Sequence, residues 1–323
     1  MSFTLRARHQ ARVWFCVALA LLAVRAACPQ SQAAQYKVAG KTEPFDAQKA
    51  YNHAAHLVEF GPRPPGSDAI HKAQQYIAEQ LKLAGCQVSE RDFHAPMPLG
   101  NIAMKNIVAI ASGAPGQSGN IVMIAAHYDT VRMPNFVGAN DGAAGTGVVL
   151  ELARHICSRQ NAMTVWLAFF DGEEAQGQWT DRQSIRWTAE NSTMGSRDLA
   201  ARMALSGDLK KLKAMVLVDM VAGRGVKLKR DSESTKWLND LIWNKAKRLG
   251  FGDSFVDEMQ TVGGDDHFSF IKRGVAACDL VDLGYPYWHT PQDTLDKIDT
   301  AGLQAAGQTL LEVLPELEKR RMQ

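Results

Sequence analysis

Cysteine is scarce in this 323-residue chain, and none of the five stands in a close pair with metal-ligand spacing. A structural zinc knuckle built on thiolates is therefore excluded. Two of them, Cys16 and Cys28, fall in or beside the N-terminal apolar stretch. The remaining Cys86, Cys157 and Cys278 cannot all pair, and they read as single buried thiols. Charge of one sign is also lacking. The formal net charge of +2 comes from a segment, residues 1–34, that holds Arg6, Arg8, Arg12 and Arg25 and no acid; beyond it stand 32 basic and 34 acidic residues. That balance offers no footprint for nucleic acid. No apolar run is long enough to span a bilayer comfortably, and there are no repeats or low-complexity tracts.

What is present begins with a leader. Arginines precede an apolar stretch from Val13 to Val24, and small residues at Ser31–Ala34 could supply a cleavage site. Residues 1–34 are expected to be a signal peptide, with a retained anchor as the alternative. Residues 35–323 are then a single catalytic domain, exported to the periplasm or secreted, with no stable membrane span once the leader is gone.

The stretch that organises the rest is Thr164–Phe170, Thr-Val-Trp-Leu-Ala-Phe-Phe, followed by Asp171-Gly172-Glu173-Glu174. Seven apolar or β-branched residues in succession predict a strand buried on both faces. Its closing turn carries three carboxylates, at the kind of strand end where open α/β sheets place ligands. Similar endings recur: an apolar strand from Asn120 to Ala126 closes in His127-Tyr128-Asp129, and a strand from Lys213 to Val221 contains Asp219.

Helical periodicity predicts helices over Phe45–Phe60 and Ile70–Ala84, the second capped by Ser67 or Asp68. Further helices are expected at Thr146–Arg159, from a Ser196 cap to Leu205, at Ser234–Leu249 with Trp237, Leu241 and Ala246 inward, and at Ala301–Arg320. Strands are expected at Gln87–Phe93, Met104–Ala111 and Val275–Val281. Alternating strands and helices with an early meander predict an α/β fold, a three-layer α/β/α sandwich around a central twisted mixed β-sheet.

His127, Asp129, Asp141, Glu174, Asp219 and His289 all lie at strand ends or in adjacent loops. Imidazole and carboxylate without thiolate suit a catalytic rather than a structural zinc.

The set His127-x-Asp129, Gly138-Ala139-Asn140-Asp141, Glu173-Glu174, Asp219 and His289 resembles the M28-type zinc aminopeptidase superfamily. Within it, Phe169–Ala175 with Trp179, Gly195–Ala200, Asp265-Asp266-His267 with Phe270, and Trp288-His289-Thr290 resemble glutaminyl-peptide cyclotransferases, the glutaminyl cyclases. The resemblance covers most of residues 45–320. It implies a zinc-exopeptidase-like fold and one Zn²⁺ held by Asp141, Glu174 and His289. It implies Glu173 as general base and acid, Asp219 and Asp265 as a carboxylate network beside it, and Trp179 and Trp288 as walls for the substrate. His127 and Asp129 would serve a second metal or support the first.

The implied reaction converts N-terminal glutamine of peptides or proteins to pyroglutamate with release of ammonia, and a monomer is expected. The alternative is an aminopeptidase with two zinc ions. Thr290-Pro291-Gln292-Asp293-Thr294 looks more like the peptidases, the disulfide of animal secreted cyclases has no counterpart beside His127 and Asp141, and Asp279 stands where the animal enzymes offer histidine.

Overall fold

The structure, a computed structural model, describes residues 43–114, 119–177, 188 and 190–319. The leader expected at residues 1–34 and Trp179, expected in the substrate wall, lie outside them. Among the described residues no helix is long and apolar enough to cross a membrane.

Six strands form the central sheet in the order β1 (Gln87–Met97), β2 (Gly100–Ala111), β4 (Thr164–Phe170), β3 (Ile121–His127), β5 (Leu212–Val218), β8 (Ala277–Leu280). β1 and β2 pair antiparallel, as do β2 and β4, while β4, β3, β5 and β8 run parallel to one another. The sheet is thus mixed, as expected.

Strand alternation sorts the core into two layers. Val122, Ile124, Ala126, Val165, Leu167 and Phe169 pack on one face under helices α1 (Ala47–Glu59), α2 (Asp68–Leu83), α3 (Gly145–Ile156), α5 (Lys236–Arg248) and α7 (Thr300–Lys319). Their odd-and-even partners Met123, Ala125, Trp166, Ala168 and Phe170 face the other side, under α4 (Met194–Ser206) and α6 (Phe268–Ile271). Each fully buried large side chain contributes about 1.5–3 kcal/mol to the sandwich.

The chain passes from β3 through α3 on one face to β4, then through α4 on the opposite face to β5, which pairs with β3. Strand order therefore reverses at β3. Ligand crevices form at such switch points, outside the carboxyl ends of the parallel strands.

Local capping follows the sequence in part. Asp46 accepts the amides of Gln48 and Lys49, and Ser67 accepts that of Ile70. The α4 cap differs from expectation: Thr193, in the left-handed region at φ 53°, precedes the helix, while the Ser196 hydroxyl bonds the Thr193 carbonyl and the Ser269 hydroxyl. In α5 the buried face is Leu238, Ile242, Trp243 and Ala246, with Trp237 and Leu241 only partly covered. The Trp243 indole fixes this rotation by donating to the Val256 carbonyl at 2.9 Å. Val256 belongs to β7 (Phe255–Gln260), which pairs in parallel with β6 (Leu228–Asp231), a small second sheet rich in charge and not foreseen.

The expectation of single buried thiols holds for Cys278 and fails for the other two. Cys86 and Cys157 form a disulfide, with Cα atoms 5.1 Å apart, joining the ends of α2 and α3 across 71 residues.

Candidate metal centre and active site

Four chain segments bring their carboxyl ends to one edge of the sheet. His127 ends β3, Glu173 and Glu174 lie in the turn after β4, Asp219 follows β5, and the loop beyond β8 carries His289. Asp141 arrives from the segment between β3 and α3. There the backbone leaves helical geometry at Asp141 (ψ 94°) and Gly142 (φ 96°), and a Cβ at Gly142 would stand 2.8 Å from the Asp129 carbonyl. Only glycine fits that approach.

Asp141, Glu174 and His289 converge. His289 Nε2 lies 3.1 Å from Glu174 Oε2 and 3.4 Å from Asp141 Oδ2. Ligands about 2.0–2.1 Å from a tetrahedral zinc stand roughly 3.3 Å from one another, so the spacing fits. The oxygens fit as well: Asp141 Oδ2 and both Glu174 oxygens are buried without a hydrogen-bond partner. Buried carboxylate oxygens left unbonded are costly, and a cation among them removes the cost. His289 is itself held at φ 50°, an uncommon backbone conformation for a non-glycine residue, of a kind found at functional sites.

His127 forms a second group with Asp141 and Asp219, its Nε2 lying 3.2 Å from Asp141 Oδ1 and 3.1 Å from Asp219 Oδ1. Asp141 is thus common to both groups. Here, however, His127 Nε2 is hydrogen-bonded to Asp219 Oδ1. Burial would lower the pKa of His127, but Glu173, Asp129, Asp141 and Asp219 outweigh it and raise it well above the usual range. An imidazolium there can neutralise the acids around it.

Asp129 belongs to neither group. Its two oxygens accept the backbone amides of Glu173 and Glu174, and His127 Nδ1 stands 3.6 Å away.

Glu173 lines a cavity of about 640 Å³ together with Asp141, Glu174, Asp219, Asp265 and Trp288. Burial, then Asp265 and Glu174, raise its pKa well above the carboxylate range against the opposing pull of His127. Asp219 is raised to about 7 by burial, with Asp141 and Asp265 adding to it. The expected Asp219–Asp265 network is arranged differently: Asp219 bonds His127, whereas Asp265 lies close to Asp279, whose pKa burial and Asp265 raise well above the carboxylate range. Asp265, His267 and Asp279 are a third close group. His267 Nε2 faces Asp231 at 3.3 Å and Nδ1 stands 3.8 Å from Asp279, both of whose carboxylate oxygens are buried without a hydrogen-bond partner. Trp288 stacks obliquely on His289, ring centroids 4.6 Å apart, and stays 43% exposed at the cavity wall.

Three supporting residues were not foreseen. Asp293 accepts the amides of Asn140 and Asp141 and the Tyr285 hydroxyl, tying the His289 loop to the Asp141 segment. Asn140 accepts the Ala222 amide beyond β5. Arg63, fully buried, gives its guanidinium to the carbonyls of Leu57, Gly61, Tyr128, Val137 and Gly138. It thereby clamps the His127–Asp129 and Gly138–Asp141 segments together. Its setting between Pro62 and Pro64 marked a rigid loop, and nothing in that pattern pointed inward. Asp171, first acid of the turn, faces away from the cavity and accepts from Gln74, Lys105 and Tyr128.

Comparison with known proteins shows the family. Residues 106–314 match the family model described as Peptidase family M28. A glutaminyl-peptide cyclotransferase of Bothrops jararaca is 29% identical over 281 residues, 75% of this chain and 73% of the relative. The crystal structure of an Acidobacteriales bacterium glutaminyl cyclase is 34% identical, with a TM-score of 0.78 over 88% of this chain and 99% of the other. A Zn-dependent exopeptidase from Parabacteroides distasonis shares 26% identity, with a TM-score of 0.75 over 86% of this chain and 100% of that one.

Proposed function

The chain belongs to peptidase family M28 and, within it, to the glutaminyl cyclases; on that premise we propose that Asp141, Glu174 and His289 hold one zinc ion and that Glu173 moves the proton. The enzyme is an acyltransferase that closes an N-terminal glutamine of a peptide onto itself and releases ammonia.

The nucleophile is the substrate's own α-amine, already tethered to the γ-amide it attacks. Well-oriented intramolecular attack reaches effective molarities on the order of 10⁵–10⁸ M, so holding the two ends together removes much of the barrier. The buried carboxylates of Glu173, Asp219 and Asp265 favour the α-ammonium end. Bound zinc would supply Lewis-acid polarisation of the γ-amide, worth several kcal/mol. Glu173 takes the proton from the amine and delivers it to the departing nitrogen, a role suited to a carboxyl raised by burial and by Asp265. Asp129 fixes the turn from which Glu173 and Glu174 project. Trp288 forms a wall that keeps out water, whose attack would yield glutamate instead.

The observation that carries this reading is the distribution of unbonded oxygens. Of the two groups that share Asp141, the one beside His289 holds them, on Asp141 and Glu174, while Asp219 in the other is bonded to His127. One cation answers the first group, and a protonated histidine answers the second. The two-zinc aminopeptidase reading rests on the equal spacing of the His127 group. Mass spectrometry of a Gln-initiated peptide separates them: loss of one ammonia with the chain intact supports cyclisation, and release of a free amino acid supports the peptidase.

The leader expected at residues 1–34 and the Cys86–Cys157 disulfide support an exported enzyme, periplasmic or secreted, since such bonds persist in oxidising compartments.

A further inference from the structure

The active-site cavity is divided by charge. Its floor is carboxylate, with Asp141, Glu173 and Glu174 buried, and one wall is cationic, with Arg197, Lys272 and Arg273 exposed on it. The wall lies where two helices meet. The hydroxyls of Ser196 in α4 and Ser269 in α6 meet at 2.9 Å, which sets Arg197 beside the basic end of α6.

Lys272 Nζ rests 5.5 Å over the Phe268 ring, and Arg273 donates to the Ser269 carbonyl at 2.8 Å. Neither forms an ion pair among the described residues. Arg197 shares its field with Glu190, so Lys272 and Arg273 carry most of the open charge. Gly263 and Gly264 also line the cavity; a Cβ on either would meet nothing within 4 Å, which leaves room for a peptide backbone.

An extended peptide advances ~3.3–3.6 Å per residue, and its amino terminus must reach the carboxylate floor for cyclisation. The residues that follow the glutamine then pass the cationic wall. We propose that Lys272 and Arg273, with Arg197, select Gln-initiated substrates that carry acidic side chains at the positions following the glutamine. The site would read a dipolar peptide end, ammonium first and carboxylate next. This inference rests on the cyclase reading of the site.

Exposed ion pairs are individually weak and are screened over a Debye length of about 8–10 Å, so the preference is modest per contact and salt-dependent. With two acidic residues facing the wall it amounts to on the order of tenfold at low ionic strength.

The test compares kcat/KM of the zinc-loaded enzyme for Gln-Glu-Asp-Ala, Gln-Ala-Ala-Ala and Gln-Lys-Arg-Ala peptides, at low and high salt. The acidic peptide is expected to exceed the basic one about tenfold, with the ratio collapsing in high salt. Lys272→Glu, alone and with Arg273→Glu, should invert the ratio. The single variant keeps the test open should loss of the Arg273 contact to Ser269 disturb the fold. Equal turnover of all three peptides, a preference for the basic one, or a ratio unmoved by Lys272→Glu overturns the proposal while leaving the cyclase reading intact. Failure to convert any of the three peptides removes the cyclase reading and this inference with it.

Discussion

Asp129 and Glu173 are joined through the backbone: Asp129 Oδ1 accepts the Glu173 amide at 3.1 Å, and its other oxygen accepts the next amide, that of Glu174, at 3.3 Å. One carboxylate thus fixes the turn that carries both the residue proposed to move the proton and a proposed metal ligand. Asp129→Asn keeps the shape but sets an NH₂ against one of those N–H groups. Turnover is expected to fall about 10–100-fold, with zinc affinity reduced in the same range, as for other outer partners of metal ligands. Steady-state kinetics and zinc titration check this; unchanged values for both would contradict the role.

Glu173 is not one of the three side chains, Asp141, Glu174 and His289, that converge as a candidate metal site. Glu173→Gln should therefore retain zinc and the unfolding midpoint of the parent while losing about 10²–10⁴-fold in kcat. Elemental analysis, a thermal melt and kinetics on one preparation suffice. Normal turnover would remove Glu173 from the proton path.

The Cys86–Cys157 bond closes a loop spanning 71 residues. The chain-entropy estimate for a loop of that size is about 4 kcal/mol. Replacing both cysteines by alanine should lower the free energy of unfolding by up to about that amount, read from denaturant melts, with kcat/KM little changed because the bond joins helix ends away from the cavity.

Glu151 provides a pH signature of stability. Burial would raise its pKa, but His155 and Arg154 outweigh burial and bring it to about 2. An unfolded glutamate titrates near ~4.3, so the unfolded chain binds more protons between the two values. The stabilisation is present above about pH 4.3 and is lost as pH falls towards about 2. Glu151→Gln should be less stable by about 2 kcal/mol at neutral pH and should lose less on acidification than the parent. Parallel acid dependence of the two proteins would contradict this.

Much of the sandwich was legible because its signals are local. The apolar run of β4 and the periodic faces of α1 and α2 specify their elements without help from the rest of the chain. The candidate site is legible in the same way, since imidazoles and carboxylates at successive strand ends are visible as residue types. The partners that hold them were not legible. Asp293 works through its reach to the amides of Asn140 and Asp141, more than 150 residues away. Arg63 acts on main-chain carbonyls, which have no sequence identity at all. The β6–β7 pair is short and charged, and its strands carry no alternating apolar signal. The rotation of α5 was misjudged because two apolar faces compete at helical spacing, and the Trp243 hydrogen bond to Val256 decides between them.

A single zinc is proposed to sit among Asp141, Glu174 and His289, with His127 satisfying its own acids. Zinc per chain, measured by elemental analysis on the parent, Glu174→Gln and His127→Ala after dialysis, tests it most directly. One zinc is expected in the parent, none retained in Glu174→Gln, and one retained in His127→Ala. Two zinc ions in the parent, with one lost in His127→Ala, would contradict it.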